Sequence, residues 1–116
     1  MRTNVFMNSK DLRAEVRIPV IQRGTLSFED IWLPCLVENM SEHGNFIFSN
    51  RELPVGQVLE LRLELFPGQF LNCKLEVTRA NGTSFGTKIV EIDKSGIKLC
   101  QLFLQEQYAD KLDKFG

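Results

Sequence analysis

From Val58 to Phe66 the chain alternates cleanly. Leu59, Leu61, Leu63 and Leu65 fall on one parity, and Val58, Glu60, Arg62 and Glu64 on the other. A period of two is that of a strand with one face in a core. Phe70 to Thr78 repeats it, with Leu71, Cys73, Leu75 and Val77 inward and Asn72, Lys74, Glu76 and Thr78 outward. Pro67-Gly68 between them is a turn signal, because proline presets φ and glycine accepts a positive one. Asn81-Gly82 predicts a hairpin into a partner strand over Ser84 to Ile92.

Upstream, Val16, Ile18 and Val20 oppose Arg17, Pro19 and Ile21. This is a strand in which Pro19 belongs at an edge or near the start. Arg23-Gly24-Thr25 reads as a turn, and Leu26 to Asn39 as a second strand region. Both parities of that region are apolar, which predicts a bulge or a bend. Phe46-Ile47-Phe48 is a short strand, and Ser49 to Gly56 is a loop. After Ile92 the period changes: Ile97, Cys100, Leu104, Tyr108 and Leu112 recur at steps of three and four. That predicts an amphipathic helix over about residues 95–113, capped by Asp93 or Ser95. About six short antiparallel strands over residues 16–92 suit a small barrel, with the helix over an open face or end. Residues 1–12 are polar and aperiodic apart from Val5, Phe6 and Met7, and read as a flexible arm.

Composition narrows the function. At 116 residues the chain fits one domain, and 43% apolar with 25% charged residues is a globular balance. No apolar run approaches the ~20 residues that span a bilayer. The first residues lack the apolar segment of a secretory signal, so no membrane insertion and a cytoplasmic location are expected. Cys35, Cys73 and Cys100 are odd in number and widely spaced, against a disulfide framework or a zinc site. His43 is the only histidine; no acidic residue follows it and Ser41 at a triad spacing, and no phosphate-binding glycine loop is present. The chain is not expected to be an enzyme or to need a cofactor or metal. Net charge is -1, but residues 1–24 carry five basic and two acidic side chains, leaving nine basic and thirteen acidic in the rest. A basic front on an acidic body suits a small anion better than DNA or RNA, which want a broad basic surface. By parity the phenylalanines are mostly core, without the exposed aromatic and basic stripes of a single-strand platform.

Two segments carry candidate chemistry. Arg13-Ala14-Glu15-Val16-Arg17 spaces two guanidinium forks so that both project to one side in a helix or in a strand. Such forks suit phosphate oxygens, a guanine edge and the face of a flat ring. Asn39-Met40-Ser41-Glu42-His43-Gly44 offers an amide that can read a base edge, a hydroxyl that can reach a phosphate or a neighbouring backbone group, and a glycine that permits close approach. Alone, each segment is also what a solvated arginine pair or a plain turn looks like.

Together, and in this order, they resemble the signature of the PilZ family: Arg-x-x-x-Arg ahead of a first strand, then Asn/Asp-x-Ser-x-x-Gly some twenty residues on. Phe46-Ile47-Phe48, Leu53-Pro54-Val55-Gly56, Leu59 to Leu65 and Gly86-Thr87-Lys88-Ile89 are similar to the family's later strands, so the resemblance covers nearly the whole chain. It implies a six-stranded antiparallel β-barrel with a C-terminal helix, one domain over residues 13–116. It also implies that cyclic di-GMP is the ligand, with Arg13 and Arg17 on guanine and phosphate and Asn39, Ser41 and Gly44 as the opposite wall. A stand-alone receptor of this kind would relay the ligand to a separate effector protein, with the arm of residues 1–12 as the moving part. The alternative is a barrel of the same fold that binds proteins and no nucleotide. Relatives of that kind lack the arginine motif, which this chain keeps. Many relatives carry a further arginine directly before the motif. Leu12 stands there instead, which favours one ligand per site over an intercalated pair.

Overall fold

In a computed structural model the described residues are 18–115, with side chains described for residues 18–110. Arg13, Arg17, the 1–12 arm and the expected strand start at Val16 lie outside them. Six strands follow in order: β1 (Ile18–Phe28), β2 (Ile31–Met40), β3 (Gly44–Ser49), β4 (Val58–Phe66), β5 (Gln69–Asn81) and β6 (Ser84–Ile92). Helix α1 (Lys94–Phe115) comes last. The strands close into an antiparallel barrel in the order β1-β2-β3-β6-β5-β4, with β4 pairing back onto β1.

The alternation of β4 and β5 appears as expected. Leu59, Leu61, Leu63, Leu71, Leu75 and Val77 fill the interior with Leu26, Val37, Ile47 and Phe85. Each such side chain taken from water contributes about 1.5–3 kcal/mol, so the interior is the main source of stability. Pro67 and Gly68 make the β4–β5 turn, where Gly68 has φ +76° and donates its N–H to the Glu64 carboxylate at 2.9 Å.

β1 departs from expectation. It runs straight through Arg23-Gly24-Thr25 and turns only at Glu29-Asp30, both with positive φ. β2 accordingly begins at Ile31, not Leu26. Gly24 is a close approach, not a turn. It pairs with Cys35 on one side and Leu63 on the other, and a β-carbon there would stand 2.6 Å from the Arg62 carbonyl oxygen. This is where β1 meets β4. Ladder partners on β4 are confined to Gly24–Ser27 of β1, so among the described residues Ile18–Arg23 has its backbone ladder on β2 alone, with Gln22 reaching β4 only through its side chain, which donates to the Glu64 carbonyl at 2.8 Å. The expected irregularity in β2 falls at Glu38, where pairing with β3 shifts between Val37 and Asn39. β5 continues past Thr78 to Asn81 through a second shift between Val77 and Arg79.

Asp93 is the N-cap of α1, accepting the Gly96 N–H at 2.7 Å and the Ser95 hydroxyl at 3.1 Å. The helix packs on β5, β1 and β4. Its buried face is Gly96, Cys100, Phe103 and Leu104, with Phe103 edge-on to Phe66 at 5.8 Å. Cys100 and Leu104 were expected there. Ile97 and Tyr108 were too, but both are largely exposed, because Phe103 rotates the face around the axis. No helix of the described residues is long and apolar enough to cross a membrane.

Candidate functional site

The Asn39–Gly44 segment ends β2, turns and opens β3. Ser41 is fully buried within it. Its N–H donates to the Gly44 carbonyl at 3.0 Å and its hydroxyl donates to the same oxygen at 3.2 Å. In return Ser41 Oγ accepts the N–H of His43 at 3.4 Å and of Gly44 at 3.3 Å. Of the two partners the hydroxyl could reach, it takes the backbone. Gly44 sits against β6: a β-carbon there would overlap the Thr87 carbonyl oxygen and lie 3.1 Å from its carbon. The Ile89 N–H donates to the His43 carbonyl at 2.7 Å, so the turn is sewn to β6 on both sides of the glycine. Ser41 and Gly44 thus fix the turn's shape, while His43 is exposed at its crest.

The same turn touches α1. Gln101 donates its amide to Glu42 at 3.1 Å. Burial pushes the neighbouring Cys100 thiol up to about 11, and the Glu42 charge adds to the rise. Cys35 and Cys73 are also buried, and loss of hydration holds each thiol up at about 12. Groups in that state are packing residues, not nucleophiles or ligands.

Asn39 lies on the barrel's outer wall, half-buried, because the Glu38 bulge resets the parity of β2. It pairs with Pro19 on β1 and with Phe46 on β3. Phe46 pairs with Gly86 on β6, and Gly86 with Arg79 on β5. A single row therefore crosses five strands on the outer wall. Ile18 pairs with Met40, so the first described residues of β1 enter the barrel at the level of this row. Topology brings the chain just after the arginine motif to Asn39 and the turn. Arg13 and Arg17 themselves lie outside the described residues.

The phenylalanines were expected to be mostly in the core. Phe28, Phe85 and Phe103 are there, but Phe46 and Phe48 are half-buried on the outer wall, edge-on to each other at 5.8 Å. Phe70 is exposed too, with Arg62 stacked 4.4 Å from its ring centre. The sequence signal for Phe46 and Phe48 was their parity opposite Ile47, which is fully buried.

Residues 11–106 match the PilZ domain family. Among solved structures, the PilZ domain of CeSA from a cellulose-synthesizing bacterium superposes with a TM-score of 0.61 at 14% identity, covering 83% of this chain and 98% of that one. The Bacillus subtilis inhibitor of motility MotI/DgrA superposes with a TM-score of 0.68 at 18% identity, covering 86% of this chain and 51% of that one. This chain thus spans about half of MotI/DgrA. No curated protein matches the sequence.

Proposed function

The chain belongs to the PilZ domain family, a cyclic di-GMP-binding family, and from that premise we propose that it is a cyclic di-GMP receptor that relays the ligand to a partner protein. Arg13 and Arg17 contact guanine and phosphate from one side. Asn39 reads the ligand from the barrel wall, and Ser41 and Gly44 hold the turn that continues that wall. The observation that carries this reading is the β1–β2 register. Ile18 opposite Met40 and Pro19 opposite Asn39 tie the chain next to Arg17 to the second motif. That register is what supports reading the two motifs as parts of one site.

The chemistry is suited to the ligand. Cyclic di-GMP carries two phosphates and two guanines. Guanidinium forks bind phosphate bidentately, pair with the O6/N7 edge and stack on the ring. Relay to a partner requires that the partner bind the two states with different affinity, since a ligand shifts an equilibrium only through that difference.

Calorimetric titration with cyclic di-GMP tests the proposal. Saturable binding to the wild type is expected, and its loss in Arg13→Ala and in Arg17→Ala. No heat and no thermal shift at saturating ligand would sink it.

A further inference from the structure

The outer-wall row ends on Arg79, which neither motif includes. Three features place it there. β5 bulges between Val77 and Arg79, and the Thr78 hydroxyl pins the bulge by donating to the Gly86 carbonyl at 3.1 Å. Bulges re-aim side chains, and this one puts Arg79 opposite Gly86 on the outside of the barrel. Next, Gly86 leaves the space that Arg79 uses. The Arg79 Nε and Nη2 lie 3.2 and 3.5 Å from where a β-carbon of Gly86 would be, and its own Cβ lies at 3.7 Å. The side chain is folded along the β6 backbone instead of standing away from it. Last, the charge is uncommitted among the described residues. Lys88, further along β6, pairs with Glu76 at 3.8 Å, whereas Arg79 makes no ion pair among the described residues.

Phe46 is one strand further on, about 5 Å across the sheet, and Asn39 one beyond that. The wall beside Asn39 is thus a half-buried aromatic ring, a strip of bare backbone at Gly86, and a guanidinium laid over it. Flat surfaces of that composition take flat ligands. Arginine stacks on purines through its plane and its charge together.

We propose that Arg79 is a third arginine of the ligand site, stacking on a guanine of cyclic di-GMP above the Phe46–Gly86 floor. This rests on the reading that the chain binds cyclic di-GMP. Gly86 is a positioning residue, because it lets Arg79 lie flat. The three-strand separation between Asn39 and Arg79 also gives the site two ends. Asn39 lies at one end and Arg79 at the other, where it holds the face of a guanine.

Calorimetry with cyclic di-GMP on the wild type, Arg79→Ala, Arg79→Lys and Gly86→Ala, with a melting curve for each, tests this. Arg79→Ala is expected to keep its melting temperature and weaken binding by about tenfold, the size of a desolvated cation–π contact. Arg79→Lys is expected to lose nearly as much, because an ammonium keeps the charge without the plane. Gly86→Ala is expected to weaken binding in the wild-type background and to add nothing to Arg79→Ala, the coupling of a pair that acts as one. Wild-type binding with Arg79→Ala unaffected, or with Arg79→Lys fully active, overturns this proposal alone. Absence of wild-type binding overturns both it and the reading beneath it.

Discussion

Replacing Gly44 by alanine isolates what the second motif does for the fold. The glycine abuts β6 so closely that a β-carbon would overlap the Thr87 carbonyl oxygen, with the Thr87 carbon at 3.1 Å and the Lys88 Cα at 3.2 Å. All three are backbone atoms, so no side chain can swing aside. Ordinary contact begins at 3.4 Å, and relieving the overlap moves β3 from β6 by about an ångström. Overpacking of this kind costs about 1–3 kcal/mol. The 2.7 Å bond from Ile89 to His43 is stretched in the same movement, at about 1 kcal/mol. The sum is about 2–4 kcal/mol, or roughly 10–20 °C in melting temperature for a domain of this size. Circular dichroism melts and urea titrations of Gly44→Ala read it directly, with no ligand present. A melting temperature within about 2 °C of the wild type would refute the reasoning and return Gly44 to a role in ligand contact alone.

Other outcomes follow from the same packing. Ser41→Ala removes the acceptor of the buried Gly44 N–H and of the part-buried His43 N–H and should lower urea stability by about 1–3 kcal/mol; an unchanged midpoint would show that the backbone finds other partners. Asp93→Ala deletes the cap on Gly96 and should cost about 1 kcal/mol, with Asp93→Asn recovering most of it. The thiols predict alkaline weakening. Unfolded cysteines ionise above their ordinary 9.0, whereas folded ones hold their protons up to about 11 or 12. The unfolded state therefore binds fewer protons from about pH 9 upward, and stability falls there with a slope that approaches about 1.4 kcal/mol per thiol per pH unit as the unfolded thiol becomes fully ionised. Urea midpoints that stay level from pH 8 to pH 10 would contradict this burial.

Alternation was enough to read β4 and β5, because each has one wet face and one dry face and the pattern states both. It failed where a residue type serves two purposes. Gly24 looked like a turn and is a close approach of β1 to β4. The true turn, Glu29-Asp30, has no glycine to announce it although both residues take positive φ. The helix was legible from its period, but its face was drawn through Ile97 and Tyr108 where Phe103 is the residue that docks. At the site, the residue types of the second motif were readable, and the division of labour within it was not. Only register shows that Ser41 and Gly44 are spent on the turn while Asn39 stays on the wall. Phe46 was readable from its parity opposite Ile47, but Asn39 and Arg79 could not be placed locally, because their side of the sheet depends on bulges at Glu38 and Thr78 that shift parity.

The barrel is closed, but its closure is uneven along β1. Gly24–Ser27 are hydrogen-bonded to strands on both sides, whereas Ile18–Arg23 have a ladder on one side and a register slip between Pro19 and Gln22. Free energy of local opening follows such pairing. Backbone amides before Gly24 should therefore exchange with solvent through small openings that leave the rest of the barrel intact, and those after it only when the barrel itself opens. The stretch that adjoins the arginine motif buries Ile18 and Val20, yet it is held by fewer ladder bonds than the rest of β1, so its backbone can open where its side chains still anchor it.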